Sequence, residues 1–592
     1  MFTVPASYGY PPPAGRVQTV MKFSSQTLSQ SGPAGRRWMP AARAAWKYAL
    51  NQVYNWSAPA VLAGIFFAFS LAPSLLPRPI FVQGVLSGLS LAAGYALGIA
   101  GIWLWHYLQL PVPPAGARRV LGAVSALFCV LIILVFLWQA STWQDNVRAL
   151  MGMEPSAGTR PWLLTAVSVL IFGALLLVAR LFRRLFHWIS VRLHRYLPAR
   201  VSYLLGFAAA FFIFWTLVND VFLRSVLQMA DSSFQQLDAL IEDDWSPPPH
   251  SERAGSAPSL VDWHEMGRKG RSFVASGPDA ADLSEFFETA LPTPVRVYVG
   301  LNSAPTAEER AGLALNEMIR TGGFDRSVLL LVTPTGTGWI DPAALDTVEY
   351  LHRGDIATVA VQYSYLNSPL ALLTEGDYGA EMARVLFDRI YRYWNSLPPE
   401  NRPRLYLHGL SLGALNSDLS FNIYDIIDEP FDGALWSGPP FRTQTWRRIT
   451  AQRDPRSPAW LPTFRDGSVV RFMNQQGMPP AEEEWGGFRI VFLQYASDPI
   501  TFFTPAMMWR KPDWMRHPRG PDVTPDLRWF PFVTFLQLLT DMIVGTAPSG
   551  FGHNYAPEDY IDAWFALTEP EGWSPSDLQR LKDRFELRKL DT

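Results

Sequence analysis

The stretch "RLYLHGLSLGALNSDLSF", residues 404–421, decides how the rest of the chain is interpreted. It places Ser411 between Gly409 and Gly413, in the pattern G-x-S-x-G. The residues before the serine read as a short apolar strand, and those after it have helical spacing. A serine at a tight strand-to-helix turn can act as a nucleophile, and flanking glycines let strand and helix approach closely. The stretch therefore predicts a nucleophilic Ser411, with an ordinary glycine-rich turn as the alternative.

Strand-like and helical segments alternate on both sides of this stretch. The predicted helices lie near 306–323, 376–395 and 412–426. Short apolar runs predict strands within 295–301, 327–340, 358–366, 404–411, 431–441 and 488–503. Strands joined by helices form right-handed crossovers and a parallel sheet. The sequence thus predicts an α/β domain with a mainly parallel sheet and helices on both faces.

A serine hydroxyl needs a neighbouring base to become a nucleophile. In hydrolases with a G-x-S-x-G turn, the acid and then the histidine follow the serine along the chain. Only His517 and His553 lie beyond Ser411. His517 sits in a Pro/Arg-rich loop and is predicted to be a surface residue. His553 lies in a short glycine-flanked loop before a helix, so we predict that His553 is the base.

The acid is expected at the end of a strand between the serine and the histidine. Asp498 follows the apolar run in "RIVFLQYASDPITFF" and precedes Pro499. Ligand-facing residues lie at the carboxyl ends of parallel strands, so Asp498 is predicted to orient the imidazole of His553. Its alternative role is a helix N-cap. Asp432 and Asp522 are weaker candidates because neither ends an apolar strand.

An oxyanion hole needs two backbone N–H groups near the serine. We predict that Leu412, directly after Ser411, provides one of them. The loop in "LLLVTPTGTGW" (329–339) is predicted to provide the second, from Thr337 or alternatively from Gly336.

The first 225 residues contain nearly all of the long apolar runs. Crossing a bilayer takes about 20 apolar residues. Five segments meet this length: 58–76, 80–108, 120–139, 161–180 and 201–222. We therefore predict a basic tail (1–55), a membrane domain of about five helices (56–223), a linker (224–260) and a catalytic domain (261–592). Pro59, Pro73 and Pro77 interrupt the first segment and favour a loop boundary, with a kink or a re-entrant turn as the alternatives.

Lys and Arg accumulate on the cytoplasmic side of membrane proteins. The tail before the first span, the segment around Arg118 and the segment 180–200 are strongly basic, whereas the intervening loops are not. A five-span topology with a cytoplasmic N-terminus accounts for this alternation. It predicts a multi-pass protein of the inner (plasma) membrane with its catalytic domain outside the cytoplasm. The spans have no acidic residue or lysine at depth, which argues against a transporter.

Six motifs together resemble a bacterial alpha/beta-hydrolase family in which a multi-span N-terminal membrane region precedes the catalytic domain. They are "SLAPSLLPR" (70–78), "TPTGTGW" (333–339), "GLSLGA" (409–414), "WSGPPF" (436–441), "YASDPI" (495–500) and "GHNY" (552–555). The resemblance spans roughly residues 55–570. It implies an envelope serine hydrolase with Ser411, Asp498 and His553 as its catalytic triad, and it implies no particular substrate.

These observations predict ester hydrolysis through an acyl-enzyme, with a membrane lipid or an acylated envelope component as the natural substrate class. Acyl transfer with the same residues and a non-catalytic binding or assembly module remain as alternatives. The insert 441–487, with Trp446, Trp460, Phe464 and Trp485, is either a lid, an acyl-chain groove or local core. The chemistry requires no cofactor or metal. The net charge of −2 gives no reason to expect nucleic acid as a partner. The lipid bilayer is the one expected partner, and the oligomeric state is open.

Overall fold

The computed structural model describes residues 58–111, 114–156, 160–217, 245–365 and 378–591. The predicted basic tail and the segment 224–240 lie outside these ranges. Residues from Ser57 onward form one compact unit, so the membrane region and the catalytic domain pack against each other.

The N-terminal region is a group of apolar helices. A short helix, α1 (Ala58–Ser70), comes first. The longer helices are α2 (Ile80–Tyr107), α3 (Ala115–Leu150), α4 (Pro161–Leu193) and α5 (Ala199–Thr216). Within the described ranges, these four are long and apolar enough to cross a membrane. Helices α2 and α4 run parallel and pack closely because small residues line the contact, with Ser168 Oγ donating to the Gly84 carbonyl at 3.1 Å.

The first predicted span needs correction in its second half. Helix α1 ends at Ser70, and residues 71–79 are non-helical, because Pro73 and Pro77 cannot donate the backbone hydrogen bonds of a continuing helix. This segment is not an exposed loop, since every residue from Leu71 to Arg78 is buried. Non-helical backbone next to a membrane is tolerated where protein covers it.

The catalytic domain is built on a parallel sheet, as the sequence predicts. Its strands are β1 (Val295–Val299), β2 (Val328–Thr333), β3 (Ile356–Val361), β4 (Arg404–Leu410), β5 (Gly433–Ser437), β6 (Val470–Met473) and β7 (Arg489–Leu493). In the described residues they form one seven-stranded sheet in the order β1-β3-β2-β4-β5-β7-β6. Nearly every strand residue is buried, as expected for a parallel sheet covered on both faces.

Two groups of helices flank this sheet. The helices are α6 (Arg268–Ser276), α7 (Ala280–Phe287), α8 (Ala307–Arg320), α9 (Pro342–Leu351), α10 (Tyr378–Ser396), α11 (Leu412–Asp418), α12 (Ile423–Ile426), α13 (Gln444–Ala451), α14 (Pro499–Phe502), α15 (Val533–Val544), α16 (Pro557–Thr568) and α17 (Pro575–Asp591). Helices α8, α10 and α11 pack in one group, and α9, α16 and α17 pack in another. Helix α15 packs against membrane helix α2.

Part of the predicted linker belongs to the catalytic domain. Residues 253–256 are buried, and the Ala254 N–H donates to the Arg296 carbonyl of β1 at 2.9 Å. The Arg253 guanidinium donates from Nη1 to the carbonyl of Val274 and from Nη2 to those of Gly277 and Pro278, which ties this part of the chain to α6 and the turn after it. The predicted linker, 224–260, therefore extends too far, because residues 253–256 belong to the folded C-terminal domain.

The insert 441–487 forms part of the core. It contains α13 and the edge strand β6, so the sheet gains a strand that the sequence analysis did not predict. Trp446 and Trp460 are buried, and their indole N–H groups donate to Gln494 Oε1 at 2.6 Å and to the Pro518 carbonyl at 2.9 Å. Of the alternatives for these tryptophans, local core is the one that the contacts support.

Candidate active site

Ser411 lies at the turn between the central strand β4 and helix α11. Its backbone has φ 57° and ψ −123°, a conformation that non-glycine residues rarely adopt. The Ser411 N–H donates to the Ser437 carbonyl at 3.0 Å, which ties the turn to β5. A Cβ atom at Gly409 would overlap the Gly413 backbone, so no larger residue fits there. This strained strand-to-helix turn is the geometry expected of a nucleophilic serine.

Asp498 and His553 form a hydrogen-bonded pair. Asp498 follows β7 and is completely buried, and its Oδ2 lies 2.7 Å from His553 Nδ1. The same carboxylate caps α14, since its Oδ1 accepts the Ile500 N–H at 2.8 Å. The predicted role of Asp498 in orienting His553 is therefore compatible with its role as a helix N-cap. Among the described residues, the second ring nitrogen, His553 Nε2, has no hydrogen-bond partner.

Tyr555 is a third member of this network. Its hydroxyl donates to Asp498 Oδ2 at 2.8 Å. Burial, and next the charge of Asp498, raises the pKa of Tyr555 well above its ordinary value of 10. The hydroxyl therefore stays protonated and remains a donor to the carboxylate across the physiological pH range.

Ser411 and His553 line the same cavity, which has a volume of about 430 Å³. We call their side of it the hydrolase wall and define it by Ser411, His553, Thr335, Thr337 and Trp339. The hydrolase wall is formed at the carboxyl ends of the strands, where open α/β sheets bind their ligands.

The predicted oxyanion donors lie in two places around this wall. Leu412 is the first residue of α11, so its N–H has no acceptor within the helix. In the loop after β2, the Thr335 N–H donates to the Trp339 carbonyl and the Gly338 N–H to the Thr335 carbonyl, both at 2.9 Å. Thr337 lines the cavity, whereas Gly336 is buried outside its lining. The position of Thr337 at the cavity therefore favours it over Gly336 as the second predicted oxyanion donor.

The other sequence candidates lie away from the cavity. His517 is exposed, as predicted. Asp432 Oδ2 accepts the Leu405 N–H at 2.8 Å at the start of β4, and Asp522 Oδ2 accepts the Ser497 N–H at 2.8 Å. Both rival carboxylates therefore accept hydrogen bonds from backbone N–H groups and do not line the cavity.

Sequence reasoning missed the opposite side of the cavity. Leu76, from the non-helical segment 71–79, lines it together with Asp541, Met542 and Gly545 of α15 and the turn after it. The only signals in the sequence are an arginine directly after an apolar run and an aspartate inside the apolar "LLTDMIV". No local sequence pattern indicates that two segments so far apart along the chain are in contact.

The comparisons with protein families match both regions. Residues 295–581 match the model described as alpha/beta-hydrolase family, and residues 71–278 match the model described as alpha/beta-hydrolase family N-terminus. The chain therefore belongs to this alpha/beta-hydrolase family, as the six motifs predict. It combines a hydrolase-like fold with an N-terminal region of apolar helices that indicate membrane association. No curated protein and no solved structure matches the chain.

Proposed function

We propose that this protein is a membrane-anchored serine hydrolase that cleaves an ester. One observation carries the proposal: a single cavity is lined by Ser411 on a strained turn and by His553, whose Nδ1 is hydrogen-bonded to the buried carboxylate of Asp498. A serine, a histidine base and an orienting carboxylate are the parts that acyl transfer requires.

The proposed reaction proceeds in two steps. Ser411 Oγ attacks the ester carbonyl while His553 Nε2 takes the hydroxyl proton, and the Leu412 and Thr337 N–H groups bind the oxyanion. The ester C–O bond then breaks, the leaving alcohol receives the proton from His553, and an acyl-enzyme remains. Water next adds to the acyl carbonyl with His553 again as the base, and the carboxylic acid and free Ser411 are released. Asp498 stabilises the imidazolium in both steps.

The surroundings of the cavity favour an amphiphilic ester. Phe530, just before α15, stacks on Phe69 of α1 with ring centroids 4.1 Å apart. At the other end of α15, Ile543 and Val544 expose apolar side chains next to cavity residues Met542 and Gly545. A substrate with an acyl chain, a membrane lipid or an acylated envelope polymer, could reach the cavity along this apolar rim.

The distribution of arginines supports an extracytoplasmic catalytic domain. The domain contacts the C-terminal end of α3, where Asn146 Nδ2 donates to Asp526 Oδ2 at 3.1 Å. Arg118 and Arg119 lie at the opposite end of this 36-residue helix, about 50 Å away at 1.5 Å per residue. If this basic end faces the cytoplasm, the catalytic domain lies on the other side of the inner membrane.

Acyl transfer to a sugar or lipid hydroxyl is the second candidate, because an alcohol can replace water as the acceptor at the same acyl-enzyme. A non-catalytic binding or assembly module is the third. The acyl acceptor separates the first two: a product assay with both water and a labelled alcohol present gives the acid in one case and a new ester in the other.

A fluorophosphonate probe tests the proposed function. The probe reacts with activated serines, so we expect labelling of the full-length protein and no labelling of Ser411→Ala. Ser417→Ala is a matched control, because Ser417 is also buried and belongs to α11 but lies outside the cavity lining. A membrane-impermeant probe that labels intact spheroplasts supports the extracytoplasmic location. A folded wild-type protein that neither labels nor hydrolyses any ester would contradict the proposal.

A further inference from the structure

The segment 71–79, which we call the membrane wall, contacts both the membrane helices and the catalytic domain. Gln537 of α15 donates from Nε2 to the Ala72 carbonyl at 2.9 Å, across 465 positions of the chain. On the other side, Gln83 of α2 donates from Nε2 to the Ser70 carbonyl at 2.9 Å. The prolines of this segment have no N–H to satisfy, and donors reach the Ala72 carbonyl within it and the Ser70 carbonyl directly before it. The membrane wall is therefore a built element with fixed partners on both sides.

A buried ion pair holds the C-terminal end of the membrane wall. Arg78 Nε lies 3.1 Å from Asp541 Oδ1, and both side chains are at most 1% exposed. The same guanidinium donates from Nη1 to Gln83 Oε1 of α2 at 2.9 Å, and the Arg78 N–H donates to Gln144 Oε1 of α3 at 3.1 Å. One arginine thus connects two membrane helices to α15, and it does so beside the cavity that Asp541 lines.

Leu76 is the residue of the membrane wall that lines the cavity. It is 2% exposed and packs into the main core of the catalytic domain. Its Cδ2 lies 3.0 Å from the position that a Cβ atom at Gly552 would occupy, directly before His553. Leu76 therefore lies against the loop that carries the proposed base, and its isobutyl group limits the space of the cavity that Ser411 also lines.

We propose that the membrane region supplies part of the active site: Leu76 contacts the apolar part of the ester and sets its accepted length, and the Arg78–Asp541 pair positions Leu76. This inference rests on the proposed function and goes beyond it, because an anchor alone would need no contact with substrate. An apolar side chain in a pocket distinguishes substrates that differ by a methylene about 10- to 200-fold, so a leucine-to-alanine change gives a measurable shift in selectivity.

The test measures kcat/KM for p-nitrophenyl acetate, octanoate and palmitate with the full-length protein in detergent. Leu76→Ala enlarges the cavity, so we expect the octanoate-to-acetate or palmitate-to-acetate ratio to change by about tenfold or more. Leu86→Ala is the matched control, because Leu86 is a fully buried leucine of α2 outside the cavity lining. It should leave the ratios within about twofold of wild type. Equal ratios in wild type and in a folded Leu76→Ala protein would overturn the inference.

A second variant keeps the test decisive if Leu76→Ala does not fold. Cys129 is the only cysteine of the chain, so Leu76→Cys in a Cys129→Ala background has a single thiol. A methanethiosulfonate reagent that adds a benzyl group there should block fluorophosphonate labelling of Ser411 at least tenfold. Prior labelling of Ser411 should in turn slow the thiol reaction. Complete thiol modification with unchanged labelling of Ser411 would overturn the inference and leave the proposed function intact. A wild-type protein that neither labels nor turns over would overturn the proposed function, and this inference with it.

Discussion

The two walls of the cavity are built by different means. In the hydrolase wall, backbone geometry places the reactive groups: Ser411 sits at φ 57° after β4, and His553 is held by a hydrogen bond to the Asp498 carboxylate, which follows β7. In the membrane wall, side chains place an apolar residue: Leu76 is held where a buried arginine meets an aspartate of α15. In the proposed function, the sheet therefore provides the chemistry, and the junction with the membrane helices provides the shape of the cavity.

Two buried aspartates illustrate the difference between the hydrolase wall and the membrane wall. Asp498 pairs with an imidazole, whose charge can change during a reaction. Asp541 pairs with Arg78, whose guanidinium stays charged. Burial raises the pKa of Asp541, and the charge of Arg78 opposes that rise. A carboxylate beside a titratable ring can support proton transfer, whereas one beside a permanent cation serves to hold two segments together.

The largest effect is expected for Asp498→Asn. The amide keeps the size of the side chain but favours the wrong tautomer of His553, so kcat for ester hydrolysis should fall about 10⁴-fold. Asp432→Asn is the matched control, since Asp432 binds a backbone N–H at the far end of β4. Its kcat should stay within a few-fold of wild type. Steady-state kinetics with a p-nitrophenyl ester check both values, and equal losses in the two variants would contradict the role of Asp498.

The next effect tests the membrane wall. Arg78→Met leaves the Asp541 carboxylate buried without its cation, and breaking a buried pair costs about 3–5 kcal/mol. We expect a clear fall in the thermal midpoint in detergent, together with weaker fluorophosphonate labelling because Leu76 is no longer held. In Arg392→Met, which breaks an exposed pair with Asp388 on α10, the loss should be below about 1 kcal/mol.

A double variant should reverse the loss of stability that is expected for Arg78→Met. In the double variant Arg78→Met/Asp541→Leu both charges are gone, so most of the lost thermal stability should return. If the single variant is as stable as wild type, the pair does not hold the membrane wall.

The smallest effect is expected for Tyr555→Phe. It removes one hydrogen bond to Asp498, and hydrogen bonds to charged groups contribute about 1.5–3 kcal/mol. We expect kcat to fall about tenfold with KM little changed. Tyr406→Phe, a buried tyrosine at the start of β4, should change neither value. An unchanged kcat in a folded Tyr555→Phe protein would reduce Tyr555 to a packing role.

Much of the hydrolase wall could be predicted because its signals are local. A G-x-S-x-G turn needs only the strand before it and the helix after it to be recognised, and Asp498 is marked by the apolar run that it ends. The prediction that β4 and its neighbours form a parallel sheet is confirmed by the sheet topology. The edge strand β6 escaped prediction because it has only four residues and no helix separates it from β7.

The membrane wall could not be predicted, because its partners are distant in the chain. The prolines at 73 and 77 indicated that the first helix ends, and the loop boundary that they favoured over a kink or a re-entrant turn gives no sign that the segment is buried. In the sequence, Arg78 is only the single charged residue of the loop between the first two predicted spans. Its burial depends on Asp541, and no periodicity or spacing reveals a contact between such remote segments.

The sequence by itself determined the α/β sheet, the apolar helices that precede it and the candidates Ser411, Asp498 and His553. These follow from hydrophobic periodicity and from turn chemistry, both of which act over a few residues. Only the tertiary structure decided which carboxylate meets His553 Nδ1, and that Leu76 reaches the cavity. Such contacts depend on where the chain returns in space, and packing of the whole core fixes that position.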